Sequence, residues 1–151
     1  MLEIQHLSKT FHRGTPNEVK ALKRLNLSMS SGEFVCVIGT NGSGKSSLLN
    51  AVAGSFFPDS GSIVLDGRDI SRWPEYKRAG LIGRVFQNPF TGTAAGMSIM
   101  ENMSLAMKRG LARPLRKAIG SALRKQVSEK VAALHMGLES RLDNPIGSLS
   151  G

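Results

Sequence analysis

At 151 residues, 40% of them hydrophobic, the chain suits one domain with a real core and excludes a disordered composition. Lysine and arginine outnumber the acids 20 to 11, a formal charge of +9, but the basic residues are dispersed and the excess is a weak clue. No apolar run approaches a membrane span and the start, MLEIQHLSK, has no signal-peptide core, so the expected compartment is the cytoplasm, with a membrane reached only through a partner.

The first elements read as strands and turns. Leu2 to Leu7 alternates, with Leu2, Ile4 and His6 opposed to Glu3, Gln5 and Leu7. Phe11 follows in a polar setting, and Arg13 to Asn17 is a loop. Val19 to Met29 is a second strand carrying Leu22, Leu25 and Leu27, and Ser31-Gly32 turns the chain onward. These pieces predict an antiparallel layer.

Phe34-Val35-Cys36-Val37-Ile38 is too continuous for a half-exposed strand and too short for a helix. It predicts a strand buried on both faces, as in a parallel sheet. Cys36, the only cysteine, is expected there as a small core hydrophobe. GTNGSGKS follows and fits G-x-x-x-x-G-K-[ST] at Gly39, Gly44, Lys45 and Ser46. Leu48, Leu49, Val52 and Ala53 then mark a helical face, and Gly54 a helix stop. A triphosphate needs backbone N–H groups close to it from several directions. Gly39, Gly42 and Gly44 permit that approach, with Thr40, Asn41, Ser43 and Ser47 completing the loop. The helix N-terminus adds unpaired donors and a favourable dipole. Lys45 is expected to reach the β- and γ-phosphates and the Ser46 hydroxyl to take one Mg²⁺ position. The stretch predicts a nucleoside triphosphate site.

Beyond it, Pro58 to Gly61 is a turn, Ser62 to Leu65 a strand and Asp66-Gly67 a hairpin signal. Leu81 to Phe86 is a further strand candidate, stopped by Gln87-Asn88-Pro89. Phe90 to Gly96 reads as a loop, and Ser98 and Glu101 have capping-box spacing before a Met-rich helix. A longer helix is expected from Pro114, with Leu115, Ile119, Leu123, Val127, Val131 and Leu134 at helical spacing. Gly137 and Asn144-Pro145 close it. The basic residues Lys108, Arg109, Arg113, Arg116, Lys117, Arg124 and Lys125 are expected on its solvated side. His6, His12 and His135 lack metal-ligand spacing. The division expected is 1–88, a nucleotide-binding core with its β layer, and 89–151, a helical lobe.

Several separated stretches, in order, resemble the ATP-binding subunits of ABC transporters. GTNGSGKSS is similar to the Walker A loop, and PDSGSIVLDGRDI to the segment after its helix. RVFQNP resembles the Q-loop segment, and MSIMEN the start of the helical lobe. The resemblance implies an α/β fold: a P-loop NTPase core of ABC type with an antiparallel β layer and a helical subdomain, the C-terminal part of the core missing. It implies that Gln87 contacts Mg²⁺ and the attacking water, and that Phe11 stacks on adenine as the A-loop aromatic. Leu149-Ser150-Gly151 resembles the opening of the LSGGQ signature, which implies that Ser150 and Gly151 cap ATP held by a second ATP-binding subunit in a head-to-tail dimer. A transmembrane permease subunit and a solute-binding protein of an uptake system are the implied partners, with no direct nucleic acid.

The Walker B strand, its aspartate, the catalytic glutamate, the D-loop and the switch histidine of that family would all fall after residue 151. The chain is therefore expected to be a fragment that cannot turn ATP over efficiently alone, with ladder donors and apolar surface left uncovered beside the Walker A strand. Three other readings stand beside this one: a soluble ABC-type ATPase acting on nucleic acid or ribosomes, a different P-loop enzyme such as a nucleotide kinase, and a non-catalytic nucleotide binder.

Overall fold

The computed structural model describes residues 1–109 and 119–148. It divides into two compact units, Met1–Ile82 and Gly83–Gly151.

The first unit is an antiparallel sheet with a helix on one face. Strands β1 (Leu2–Phe11) and β2 (Val19–Met29) form a hairpin. β3 (Ser60–Leu65) pairs with the other edge of β1, and β4 (Arg68–Asp69) completes the order β2-β1-β3-β4. Between β3 and β4, Asp66 and Gly67 both take positive φ, 48° and 75°, the combination a two-residue hairpin with native twist requires.

Simple alternation fails at one place. Leu7, grouped by period with Glu3 and Gln5, is fully buried. The cause is a bulge at His6 (φ 49°), matched on β2 at Arg24 (φ 46°). The register slips between Ile4 and Leu7, and Leu7 turns back to the core opposite Leu25. Gly61 accommodates this bulge. Its φ is +88°, and a Cβ there would lie 2.5 Å from the Gln5 carbonyl oxygen.

Helix α1 (Lys45–Ala53) sends Leu48 and Ala51 into a core shared with Leu2, Ile4, Leu7 and Ile63. Leu49, expected on that face, is exposed, because Leu48, Ala51 and Val52 fall on one stripe and Leu49 lies a further 100° round. Gly54 (φ 88°) ends the helix, its N–H donating to the Asn50 carbonyl at 3.0 Å. The Arg78 guanidinium, at the end of the short helix α2 (Glu75–Arg78), also secures this terminus. It is completely buried and donates to the carbonyls of Ala51 (2.7 Å), Val52 (2.9 Å), Ser71 (3.1 Å) and Trp73 (2.9 Å). Burial pulls its pKa down, and the nearby Asp69 carboxylate opposes that.

Two expected strands do not form. Phe34–Ile38 carries no ladder; Phe34 is 93% exposed and Ile38 89%. Cys36 is exposed with them, not a core residue. Leu81–Phe86 likewise carries no ladder, and Val85 is exposed. A strand of a parallel sheet has no hairpin partner and must be paired by strands brought in through crossovers. Among the described residues no strand lies beside either segment.

The second unit is helical. Asn88 opens a short 3-10 turn over Pro89–Gly92, its Oδ1 accepting the Phe90 N–H at 3.0 Å. Helix α3 (Ile99–Met107) carries the expected capping box: Ser98 Oγ accepts the Glu101 N–H at 3.2 Å, and Glu101 Oε2 accepts the Ser98 N–H at 2.8 Å. Ile99 and Met100 pack with Val127 and Val131 of α4 (Ser121–Ala132) and with Leu142, while Met103 and Met107 lie half-buried against this core. The helix expected from Pro114 differs. Residues 110–118, with Pro114, Leu115, Arg113, Arg116 and Lys117, lie outside the described residues, and α4 starts only after Gly120, whose extended backbone (φ −105°, ψ 172°) cannot continue a helix. It stops before Leu134, which is exposed, because the Leu134 N–H donates to the Val131 carbonyl and His135 turns to φ 52°. Arg124 is exposed, as expected of a solvated face, and pairs there with Asp143.

A glycine loop at a helix N-terminus as the candidate functional site

Gly39 to Gly44 form the loop that enters α1. Its tightest turn is closed by the Ser43 N–H donating to the Thr40 carbonyl at 3.2 Å. Gly42 (φ 82°) and Gly44 (φ 92°) hold left-handed conformations that place the chain against β2. At Gly44 the fit is close: a Cβ would sit 2.5 Å from the Ala21 carbonyl oxygen. Gly42 faces open space, so its side there is free for a ligand to approach.

Lys45, the first residue of α1, turns its ammonium back over the loop. Nζ donates to the carbonyls of Gly39 and Thr40, both at 2.7 Å. The charge is thus held over the mouth of the loop, and an ammonium has three donors to distribute. The first turn of α1 has no acidic residue and no side-chain cap, so its N–H groups are not claimed by a carboxylate or hydroxyl. Ser46 is exposed beside Lys45, and Ser47 is half-buried. A groove of about 510 Å³ runs along the loop, bordered by Gly42 to Lys45, by Ala21 and Leu22 of β2, and by Val37 and Ile38. Lys20 and Lys23 also border it, giving an electrostatic setting that favours an anion.

Phe11 lies at the end of β1, paired across the ladder with Val19, the neighbour of Lys20. It is half-buried and meets Phe56 edge-to-face, centroids 5.1 Å apart. The sequence named Phe11 but not the residues around it. Lys9, Phe56 and Asp59 form one cluster with it, and only the strand pairing brings them together. Asp59 accepts from the Thr10 N–H at 2.8 Å and from Lys9 Nζ at 3.1 Å, and these contacts hold its carboxyl below the usual range.

The sequence profile of the family described as "ABC transporter" matches residues 22–151. A tyrosine transport ATP-binding protein of Clostridioides difficile is 38% identical over the whole chain, which covers 60% of that relative. The ABC transporter ATP-binding protein YtrE of Bacillus subtilis is 34% identical, again over the whole chain and 64% of its own length. Among solved structures, a dimeric ATP-binding cassette in a post-hydrolysis state bound to ADP and Pi superposes with a TM-score of 0.78 at 25% identity, over 99% of this chain and 63% of that one. The chain belongs to the ABC transporter family. It carries the P-loop NTPase fold of the family's ATP-binding cassettes and spans less than two thirds of the length of these relatives.

The residues present fit the Mg-nucleotide that this family binds. The Gly44 close approach, the open side of Gly42 and the unclaimed helix N-terminus make a cradle for a polyphosphate, with Lys45 at its mouth. Among the described residues no group of three or more His, Cys, Asp or Glu could hold a metal. Ser46, exposed at the start of α1, is the hydroxyl of this loop that would meet a divalent ion carried by the phosphates. Gln87, the other expected Mg²⁺ contact of this ABC cassette, belongs to the second unit, where it is exposed just before the Asn88-capped turn. Ser150 and Gly151 lie outside the described residues.

Proposed function

We propose that this chain is part of the ATP-binding subunit of an ABC transporter, and that it binds Mg-ATP through Gly39 to Ser47. The observation that carries the reading is the Lys45 ammonium poised over a glycine loop whose helix N-terminus has no competing side-chain acceptor. In this reading the loop N–H groups and Lys45 bind the phosphates, Ser46 and Gln87 hold the metal, and Phe11 takes the adenine. When bound, the metal neutralises charge on the phosphate oxygens. Gln87 orients water, and Ser150 and Gly151 cap the nucleotide of a second ATP-binding subunit in a head-to-tail dimer. Phosphoryl transfer depends on several positioned charges beyond these, so the 151 residues alone bind nucleotide without efficient turnover.

The subunit works at the cytoplasmic face of the membrane on a permease partner, in an uptake system served by a solute-binding protein. A spermidine/putrescine import protein of Pseudomonas aeruginosa, 36% identical over 87% of this chain, favours uptake. No helix among the described residues is long and apolar enough to cross a membrane, in keeping with a peripheral role. Purification of the gene product from its own cells tests the assignment. A co-purifying membrane subunit is expected; RNA or ribosomes in its place would overturn it.

A further inference from the structure

We propose that Lys9 and Asp59 are positioning residues that lock Phe11 as a platform for the nucleobase of the bound nucleotide. The inference rests on the nucleotide reading above. Lys9 is a lysine withdrawn from solvent, its side chain 17% exposed. Its ammonium is fixed from four directions. It lies 5.5 Å from the Phe11 ring centroid and 5.4 Å from that of Phe56, donates to the Phe57 carbonyl at 2.9 Å, and pairs with Asp59 Oδ1 at 3.1 Å. Asp59 is fixed in turn. Its Oδ2 accepts the Thr10 N–H at 2.8 Å and lies 3.4 Å from the Arg13 guanidinium, and its own N–H donates to the Ser8 carbonyl at 2.9 Å.

These contacts immobilise a single ring. A cation over one face of an aromatic ring is attracted by the ring quadrupole and occupies that face, leaving the other for a stacking partner. Phe56 meets the ring at 86° and blocks its rotation. A ring locked before binding loses less freedom when a base stacks on it, which is the gain of preorganisation. The location suits the role, because Phe11 pairs with Val19 and the next residue, Lys20, borders the groove beside the glycine loop. The proposed base platform thus lies on β1, and its partner strand β2 borders the groove beside the glycine loop.

The test is titration of the chain with Mg-ATP and, separately, with Mg-tripolyphosphate, which carries the phosphates without a base. Lys9→Met and Asp59→Asn are each expected to lower ATP affinity about three- to tenfold, with tripolyphosphate affinity unchanged and Lys9→Arg restoring most of the ATP affinity. Equal loss for both ligands, no loss for either, or loss of fold in both variants would overturn the proposal and leave the pair a structural strut. If the wild-type chain bound neither ligand, the nucleotide reading itself would fall, and this inference with it.

Discussion

The segment Glu33–Thr40 is more apolar than the sheet β2-β1-β3-β4, yet the sheet is built and the segment is bare. β1 is paired on both edges, and Ile4, Leu7 and Ile63 are buried against α1. Phe34 and Ile38, as apolar as any of these, face solvent. The difference lies in where the partners come from. Each neighbour of β1 arrives within the first 65 residues in an antiparallel pairing, β2 through a short loop and β3 through α1. A strand of the parallel type depends on crossovers, and its burial is only as complete as the strands placed beside it. Apolar character states what a segment can bury; topology decides whether it does.

Breaking the built side should cost most. Ile63→Ala removes a fully buried side chain, and a loss of about 2–5 kcal/mol is expected in a denaturant melt. Arg78→Met leaves the carbonyls of Ala51, Val52, Ser71 and Trp73 buried without their donor, for an expected loss on the order of 3 kcal/mol. Gly61→Ala forces a Cβ into the Gln5 and His6 backbone at φ +88°, and should lower stability by about 2 kcal/mol and disturb the bulge that buries Leu7. On the bare side, Ile38→Ala should change stability by less than about 0.5 kcal/mol. A loss there as large as at Ile63 would show that the segment is packed in solution.

Acid sharpens the contrast more gently. The Thr10 N–H, then the Lys9 ammonium, hold the Asp59 carboxyl below its ordinary range. A depressed folded pKa means that its stabilising contribution is full above the ordinary carboxylate range and is lost as pH falls through the lower folded value. Thermal melts of the wild type and Asp59→Asn should therefore converge as the pH drops below about 4. A gap that widened in acid would contradict the assignment.

Features fixed by neighbours in sequence were legible. Asp66-Gly67 gave its hairpin, Ser98 and Glu101 their capping box, and Val19 to Met29 its strand. Features fixed across the fold were not. The bulge at His6 leaves no trace in the alternation of Leu2 to Leu7, and nothing around Arg78 announces a buried guanidinium holding a helix end. At the candidate site, the loop from Gly39 to Ser46 was readable because its glycines and the helix after them are contiguous, although the strand expected before them does not form. The Lys9–Asp59 cluster was not, since 50 residues separate its partners and only β1–β3 pairing joins them.

The central claim is that Lys45 and the glycine loop hold the phosphates of a nucleotide. Equilibrium binding of Mg-ATP to the wild-type chain and to Lys45→Ala tests it most directly. A loss of about tenfold or more in affinity, with an unchanged thermal melt, is the expected result. Equal affinity in the two proteins, or ATP hydrolysis that survives the substitution, would contradict it.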